Sequence, residues 1–147
     1  MNKKELRKIF KNQRLLLEKS ECEYLSNSFF NFFKKNILDK NIVDFKNKIV
    51  AGYISFDNEL DILKILEYLK DYYDCKICMP VVVEAGNPLK FREYKFNEDF
   101  LKKNENLIKL KEPDISCKEL MPNIIFVPAL SVDINGNRVG YGKGYYD

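Results

Sequence analysis

The 147-residue chain has no histidine. That absence excludes any Ser–His or Cys–His nucleophile pair and any His-ligated zinc site. Long hydrophobic runs are also missing. No apolar stretch reaches the ~18–20 residues of a membrane span, and the charged N-terminus lacks the apolar segment of a signal peptide. A soluble cytoplasmic protein of one domain, residues 1–147, is expected. Arginine is scarce, with four against 21 lysines, and glycine is scarcer still, with six in the chain. A C-x-x-C occurs at Cys75 and Cys78, but no second such pair completes a zinc ribbon. The pair sits in an apolar, strand-like run, so buried structural thiols in a reducing compartment are expected.

The net charge is +3 and unevenly spread: residues 1–20 carry seven Lys/Arg against two Glu. The remainder is slightly acidic, which argues against a broad nucleic-acid surface. The basic first segment also lacks the interleaved aromatics of single-strand binders.

Apolar residues at 6, 9, 10, 16 and 17 have helical spacing, and "ECEYLSNSFFNFFKKNIL" predicts a second amphipathic helix. "KIVAGYIS" reads as a buried strand. "DNELDILKILEYLKDYY" follows as a helix opened by acidic residues. "CKICMPVVV", "LKFREYKF" and "NIIFVPALSVD" read as further strands, with residues 97–122 polar and irregular. Strands alternating with helices predict an α/β fold with a largely parallel sheet.

Four of the six glycines fall in the last thirteen residues, "NGNRVGYGKGYYD". Glycine lets a backbone turn sharply and approach a ligand closely. The unpaired N–H groups of a helix start at Gly144–Asp147 would attract anions, and Arg138 and Lys143 add positive charge. The stretch therefore reads as a phosphate cradle. The alternative is a hairpin around Asn135–Asn137 with further glycines relieving strain, and the two are compatible. G-x-G-x-G at 140, 142 and 144 matches neither the dinucleotide pattern nor the P-loop, since Gly144 follows Lys143. Asp147 supplies a carboxylate suited to a magnesium-bound nucleotide.

"VPALSVDINGNRVGYGKGYYD" resembles the signature of the 5-formyltetrahydrofolate cyclo-ligase (5,10-methenyltetrahydrofolate synthetase) family. "KKELR", "SFDNELD", "CMPVV", "LKFREY" and "KEP" are similar to the family's segments in the same order, so the resemblance covers nearly the whole chain. It implies a three-layer, Rossmann-like sandwich with a mixed central sheet. It also implies ATP- and magnesium-dependent conversion of 5-formyltetrahydrofolate to 5,10-methenyltetrahydrofolate, with ADP and phosphate released, by a monomer with no nucleic-acid or membrane partner.

On this resemblance Arg138, Val139, Gly140, Tyr141, Gly142, Lys143, Gly144, Tyr145 and Tyr146 would wrap the triphosphate. Lys143 and Arg138 would offset charge on the transferring phosphoryl group, and Asp147 would ligate magnesium. Lys3, Lys4 and Arg7 would approach the nucleotide from the first helix. Lys3, Arg7, Lys11 and Arg14 share one stripe of it, on which Lys11 is expected to be merely solvated. Glu59 and Asp61 would face the pterin, although two acids at a helix start also serve as caps. Phe56 and Tyr145 would pack on the pterin, with Met79 and Pro80 lining the pocket or simply filling the core. Two departures stand out. Ile62 follows Asp61 where the family commonly has threonine. The family pattern also continues past Asp147 with an arginine, the rest of a helix and further sheet, so a domain lacking its C-terminal part is expected. The alternative function is a non-catalytic nucleotide- or folate-binding remnant of the same fold.

Overall fold

The computed structural model describes residues 2–82, 89–97, 101–104, 107–142 and 146. Helix α1 spans Lys3–Leu15 and starts on a capping box. Asn2 Oδ1 accepts from the Glu5 N–H, and Glu5 Oε2 accepts from the Asn2 N–H, both at 3.0 Å. None of its residues is buried, so apolar packing is a minor part of what seats it. Helix α2, Lys19–Phe33, runs into a π turn at Lys34–Leu38, where the Asp39 N–H reaches the Lys34 carbonyl at 2.9 Å.

Strand β1, Ile49–Ala51, is followed by an irregular loop, then helix α3, Leu63–Tyr73, and strand β2, Lys76–Val81. β1 and β2 are parallel. β3, Lys90–Glu93, turns back antiparallel to β2. β4, Leu101–Asn104, and β5, Leu107–Pro113, pair as an antiparallel hairpin in the region that the sequence had marked as irregular. The pairing supplies backbone hydrogen bonds that a polar composition does not advertise. β6, Ile124–Ile125, pairs parallel to β1, giving the order β3-β2-β1-β6. The long apolar strand expected from "NIIFVPALSVD" is therefore short. β7, Ser131–Val132, and β8, Arg138–Val139, form a separate hairpin.

Alternation along the strands sorts the core. Val50, Ile77 and Met79 pack with Phe33 of α2 and Ile65, Leu66 and Leu69 of α3. Ala51 and Cys78 point to the opposite face and pack with Phe91. Helices on both faces were expected from the family resemblance. Among the described residues, α2 and α3 share one face, and the opposite cluster contains no helical residue. Met79 belongs to the core rather than to a pocket wall.

Cys75 and Cys78 are both buried and unpaired, and they belong to different clusters. A separation of three residues sends strand side chains to opposite faces, which suits structural thiols. Burial pushes the Cys78 thiol up to about 12.

Gly52 lets α3 sit close to the end of β1. A Cβ there would lie 2.3 Å from Leu66 Cδ1, and Leu66 is fully buried. Gly52→Ala is expected to destabilise the fold by about 1–3 kcal/mol through overpacking, read as a lower urea midpoint with unchanged slope. An unchanged midpoint would mean that α3 can shift freely.

Candidate functional site

The chain passes from β1 through β2 to β3 on one side of the sheet, then returns to place β6 on the other side of β1. The carboxyl edge of β1 and β6 is thus the switch point at which open α/β sheets form their crevice. Two segments meet there: the loop 52–62 that follows β1, and residues 140–142, which follow the β7–β8 hairpin.

The first segment is held by polar contacts to α1. Asp57 and Asn58 both adopt left-handed backbone conformations, which Asp and Asn tolerate better than most residues. Asn58 Nδ2 donates to the Arg14 and Leu17 carbonyls at 3.2 and 2.8 Å, closing the end of α1. Arg14 Nε donates to the Asp57 carbonyl at 2.9 Å. Lys11, expected to be solvated, is half exposed and 3.8 Å from the Asp57 carboxylate. Such an exposed pair contributes little.

The second segment leaves a hairpin that has the turn expected at Asn135–Asn137. Asp133 Oδ1 accepts from the Asn135 and Asn137 N–H groups, and its other oxygen accepts from Asn137 Nδ2. These bonds hold the exposed Asp133 carboxyl below its usual range. Arg7 then grips the loop: its Nε donates to the Gly140 carbonyl at 3.0 Å. Gly142 has φ +78, and a Cβ there would come within 2.7 Å of Arg7 Cζ. The positive φ favours glycine, and a larger residue would also displace the Arg7 guanidinium.

At the centre lies Glu59, 6% exposed. Its Oε2 accepts from the Phe56 N–H at 3.2 Å and its Oε1 from the Tyr141 hydroxyl at 2.7 Å. Arg14, with a side chain 12% exposed, brings Nη1 to 4.0 Å from the same Oε1, and its Nη2 donates to the Tyr141 hydroxyl. Nη1 is buried with no hydrogen-bond partner. The Arg14 guanidinium also lies 5.2 Å from the Tyr141 ring centroid. Tyr141 stacks on Phe56, with centroids 5.6 Å apart and planes at 27°.

Burial raises the Glu59 pKa above its ordinary 4.5, against the opposing pull of Tyr141, Phe56 and Arg14. Burial, then the Glu59 hydrogen bond, raises the Tyr141 phenol. Burial and the Glu59 charge also raise Tyr53, whose hydroxyl donates to the Leu60 carbonyl at 3.0 Å. They push Tyr146 up to about 12, with Arg138 opposing.

The raised carboxyl carries a stability consequence. A pKa higher in the folded state means that protonation favours folding. The stabilisation is complete below the unfolded-state pKa and is lost as pH rises through the folded value. Urea melts between about pH 4 and 7 should show wild type losing stability relative to Glu59→Gln as pH rises. A pH-independent difference would show that the carboxylate is well solvated.

A cleft of about 480 Å³ opens beside this centre, between α2 and the loop, with Ser26, Asn27, Phe56, Glu59, Asp61 and Lys64 among its walls. Phe56 and Glu59 thus belong both to the cleft and to the Tyr141 contact. Asp61 is exposed, and its Oδ1 accepts from the Leu63 N–H at 2.9 Å, so it caps α3 while bordering the cleft.

Of the sequence-predicted residues, Phe56, Glu59, Arg7, Gly140, Tyr141 and Gly142 come together here. Arg138 and Val139 lie half-buried on β8, and Tyr146 is half-buried within the field of Glu59 and Arg138. Lys3 and Lys4 are exposed on the first turn of α1. Lys143, Gly144, Tyr145 and Asp147 lie outside the described residues, as does the helix start expected there. Arg14 and Asn58 were not assigned from sequence. Arg14 shares the Arg7 stripe one heptad on, the one signal that pointed to it. Among the described residues no group of three or more Cys, Asp or Glu side chains could hold a metal.

The fold is that of an α/β protein with a mixed, mostly parallel four-stranded sheet and a polar site at the switch point of its parallel strands. The model of the 5-formyltetrahydrofolate cyclo-ligase family matches residues 1–147, and the chain belongs to that family. It is 31% identical over 104 residues to the 5-formyltetrahydrofolate cyclo-ligase of Escherichia coli K12, covering 67% of this chain and 54% of that protein. The match therefore spans about half the length of that curated relative. It is 27% identical to the Mycoplasma genitalium 5-formyltetrahydrofolate cyclo-ligase over 148 residues, covering 100% of this chain and 75% of that one. Its fold is similar to the Aquifex aeolicus 5,10-methenyltetrahydrofolate synthetase, with TM-score 0.75, 26% identity, and coverage of 100% of this chain and 71% of that one. It is also similar to the Mycoplasma pneumoniae synthetase, with TM-score 0.73 and 17% identity, covering 99% and 75%. At that identity the likeness concerns the fold alone.

Proposed function

We propose that the chain carries out ATP-dependent conversion of 5-formyltetrahydrofolate to 5,10-methenyltetrahydrofolate, releasing ADP and phosphate, as a cytoplasmic monomeric single domain. The observation that carries this reading is the buried Glu59 carboxylate, held at the sheet's switch point beside the Arg7-gripped glycine loop. A carboxylate so placed accepts hydrogen bonds from the ring N–H and amino groups of a pterin. The loop presents N–H groups and cationic side chains to a triphosphate.

In this reading Phe56 and Glu59 hold the pterin, with Tyr145 packing on it and Asp61 at the rim. The ATP phosphates lie along residues 138–146, near Lys3, Lys4 and Arg7. The formyl oxygen attacks the γ-phosphorus and ADP leaves. N10 then closes on the formyl carbon and gives up its proton, and phosphate departs with the former formyl oxygen and that proton. Such chemistry requires positioning and charge neutralisation rather than a strong base. A chain without histidine supplies both, with Lys143 and Arg138 near the transferring phosphoryl group. Magnesium would offset charge on the triphosphate, and such a site takes one or two protein carboxylates, of which Asp147 would supply one.

The test is to mix the 147-residue protein with 5-formyltetrahydrofolate, ATP and magnesium, and to follow the near-ultraviolet absorbance of the methenyl product. Product formation strictly dependent on ATP is expected. ATP binding without product would point instead to a non-catalytic binding protein of the same fold.

A further inference from the structure

The Tyr141 hydroxyl does two things at one point. It donates to Glu59 Oε1 and accepts from Arg14 Nη2, while its ring lies on Phe56. A flat ring that offers an adjacent donor and acceptor to a carboxylate and a guanidinium is also the description of a lactam edge, an N–H beside a C=O. The pterin of a folate carries that edge at N3–H and the 4-oxo group. Arg14 Nη1, buried and without a hydrogen-bond partner 4.0 Å from the same carboxylate oxygen, is a donor for which the single tyrosine oxygen has no room. A buried donor left unmade is costly, so a ligand that satisfies it gains affinity.

We infer that Arg14 is a specificity-determining residue that donates to the 4-oxo group of the pterin while Glu59 accepts from N3–H, and that Tyr141 occupies this place in the free protein and withdraws when the ligand enters. The inference rests on the reading of this centre as the pterin site. Tyr141 can withdraw by turning its side chain about its own torsions, with the Arg7–Gly140 bond left in place. Arg14 keeps its position without Tyr141, because its Nε is fastened to the Asp57 carbonyl and its own carbonyl to Asn58. A 2,4-diaminopteridine places an amino donor where the 4-oxo acceptor belongs and carries no hydrogen on N3, so it meets the guanidinium donor to donor and the Glu59 carboxylate acceptor to acceptor. A site that hydrogen-bonds a specific group discriminates strongly against an analogue lacking it.

The experiment is calorimetric binding of 5-formyltetrahydrofolate and of its 4-amino-4-deoxy analogue to the full chain, without ATP. Wild type is expected to prefer the 4-oxo compound by roughly tenfold or more. Arg14→Gln should lose the Arg14 share of that preference, several-fold, mainly by weaker binding of the 4-oxo compound, while the share due to Glu59 remains. Tyr141→Phe, which leaves Glu59 and Arg14 without their stand-in, should bind 5-formyltetrahydrofolate several-fold more tightly. Equal affinities of wild type for the two compounds would overturn the inference without recourse to any variant, as would an undiminished preference in a folded Arg14→Gln. Weaker binding by Tyr141→Phe would make Tyr141 a ligand contact rather than a stand-in and would overturn it also. Wild type that binds neither compound refutes the pterin reading itself, an outcome distinct from binding without discrimination.

Discussion

Lys143→Ala is expected to lower the turnover number of methenyl formation by about 10²–10³, the usual cost of removing one preorganised group that stabilises developing transition-state charge. In the proposed mechanism Lys143 has little to do in the ground state, where backbone N–H groups and neighbouring cations would already grip ATP. Its charge matters most as the γ-phosphoryl group moves from ADP to the formyl oxygen. The affinity for ATP should therefore change only a few-fold while turnover falls by orders of magnitude. The assay follows product absorbance at saturating ATP, with nucleotide affinity measured separately. Equal losses in ATP affinity and in catalytic efficiency would recast Lys143 as a binding residue, and unchanged turnover would remove it from the mechanism.

Glu59→Gln should lower kcat/KM for 5-formyltetrahydrofolate by roughly 10²-fold, with ATP affinity unaltered. Glutamine keeps the shape and one acceptor oxygen but gives up the charge and presents an amide donor. A hydrogen bond to a charged group is worth about 1.5–3 kcal/mol. Losing one such bond, and adding a donor facing the pterin N–H or amino group, accounts for the factor at about 1.4 kcal/mol per tenfold. The same substitution removes the carboxyl whose burial raises its pKa, and with it the cost of a buried charge. The variant should therefore lose function while gaining relative stability as pH rises, a pairing characteristic of a group kept for binding. Full activity would show that the carboxylate serves the loop rather than the substrate.

Some of this was legible before any tertiary contact was known. Helix α1 follows from local spacing and the Asn2–Glu5 cap, and the hairpin turn at Asn135–Asn137 from the glycine and asparagines of the turn itself. The crowding of glycine near the end of the chain already marked a backbone built for close approach. These are local properties, set within a few residues by sterics and short-range hydrogen bonds. The β4–β5 hairpin was missed although β5 alternates at Ile108-Lys109-Leu110-Lys111, because that run is short and set among polar residues, and β4 has one apolar residue in four.

The roles within the site divide along the same line. Sequence could nominate Glu59 and the glycine stretch, each from its own segment, but it left Glu59 open to reading as a helix cap. The structure gives the capping role to Asp61 and turns Glu59 into the interior. Tyr141, expected beside phosphates, faces Phe56 and Glu59 instead. Arg14 looked like one more cation on a helix stripe, yet its partners lie 43 and 127 residues away. Composition, periodicity and motif alone determined the α/β class, the family resemblance and the residue types available for chemistry. Which of those residues meet was decided by the tertiary structure: the sheet order sets β6 beside β1, and α1 joins the loop after β1 to the segment after the β7–β8 hairpin. Contacts between such distant segments depend on the whole chain packing around one core, and no local pattern encodes them.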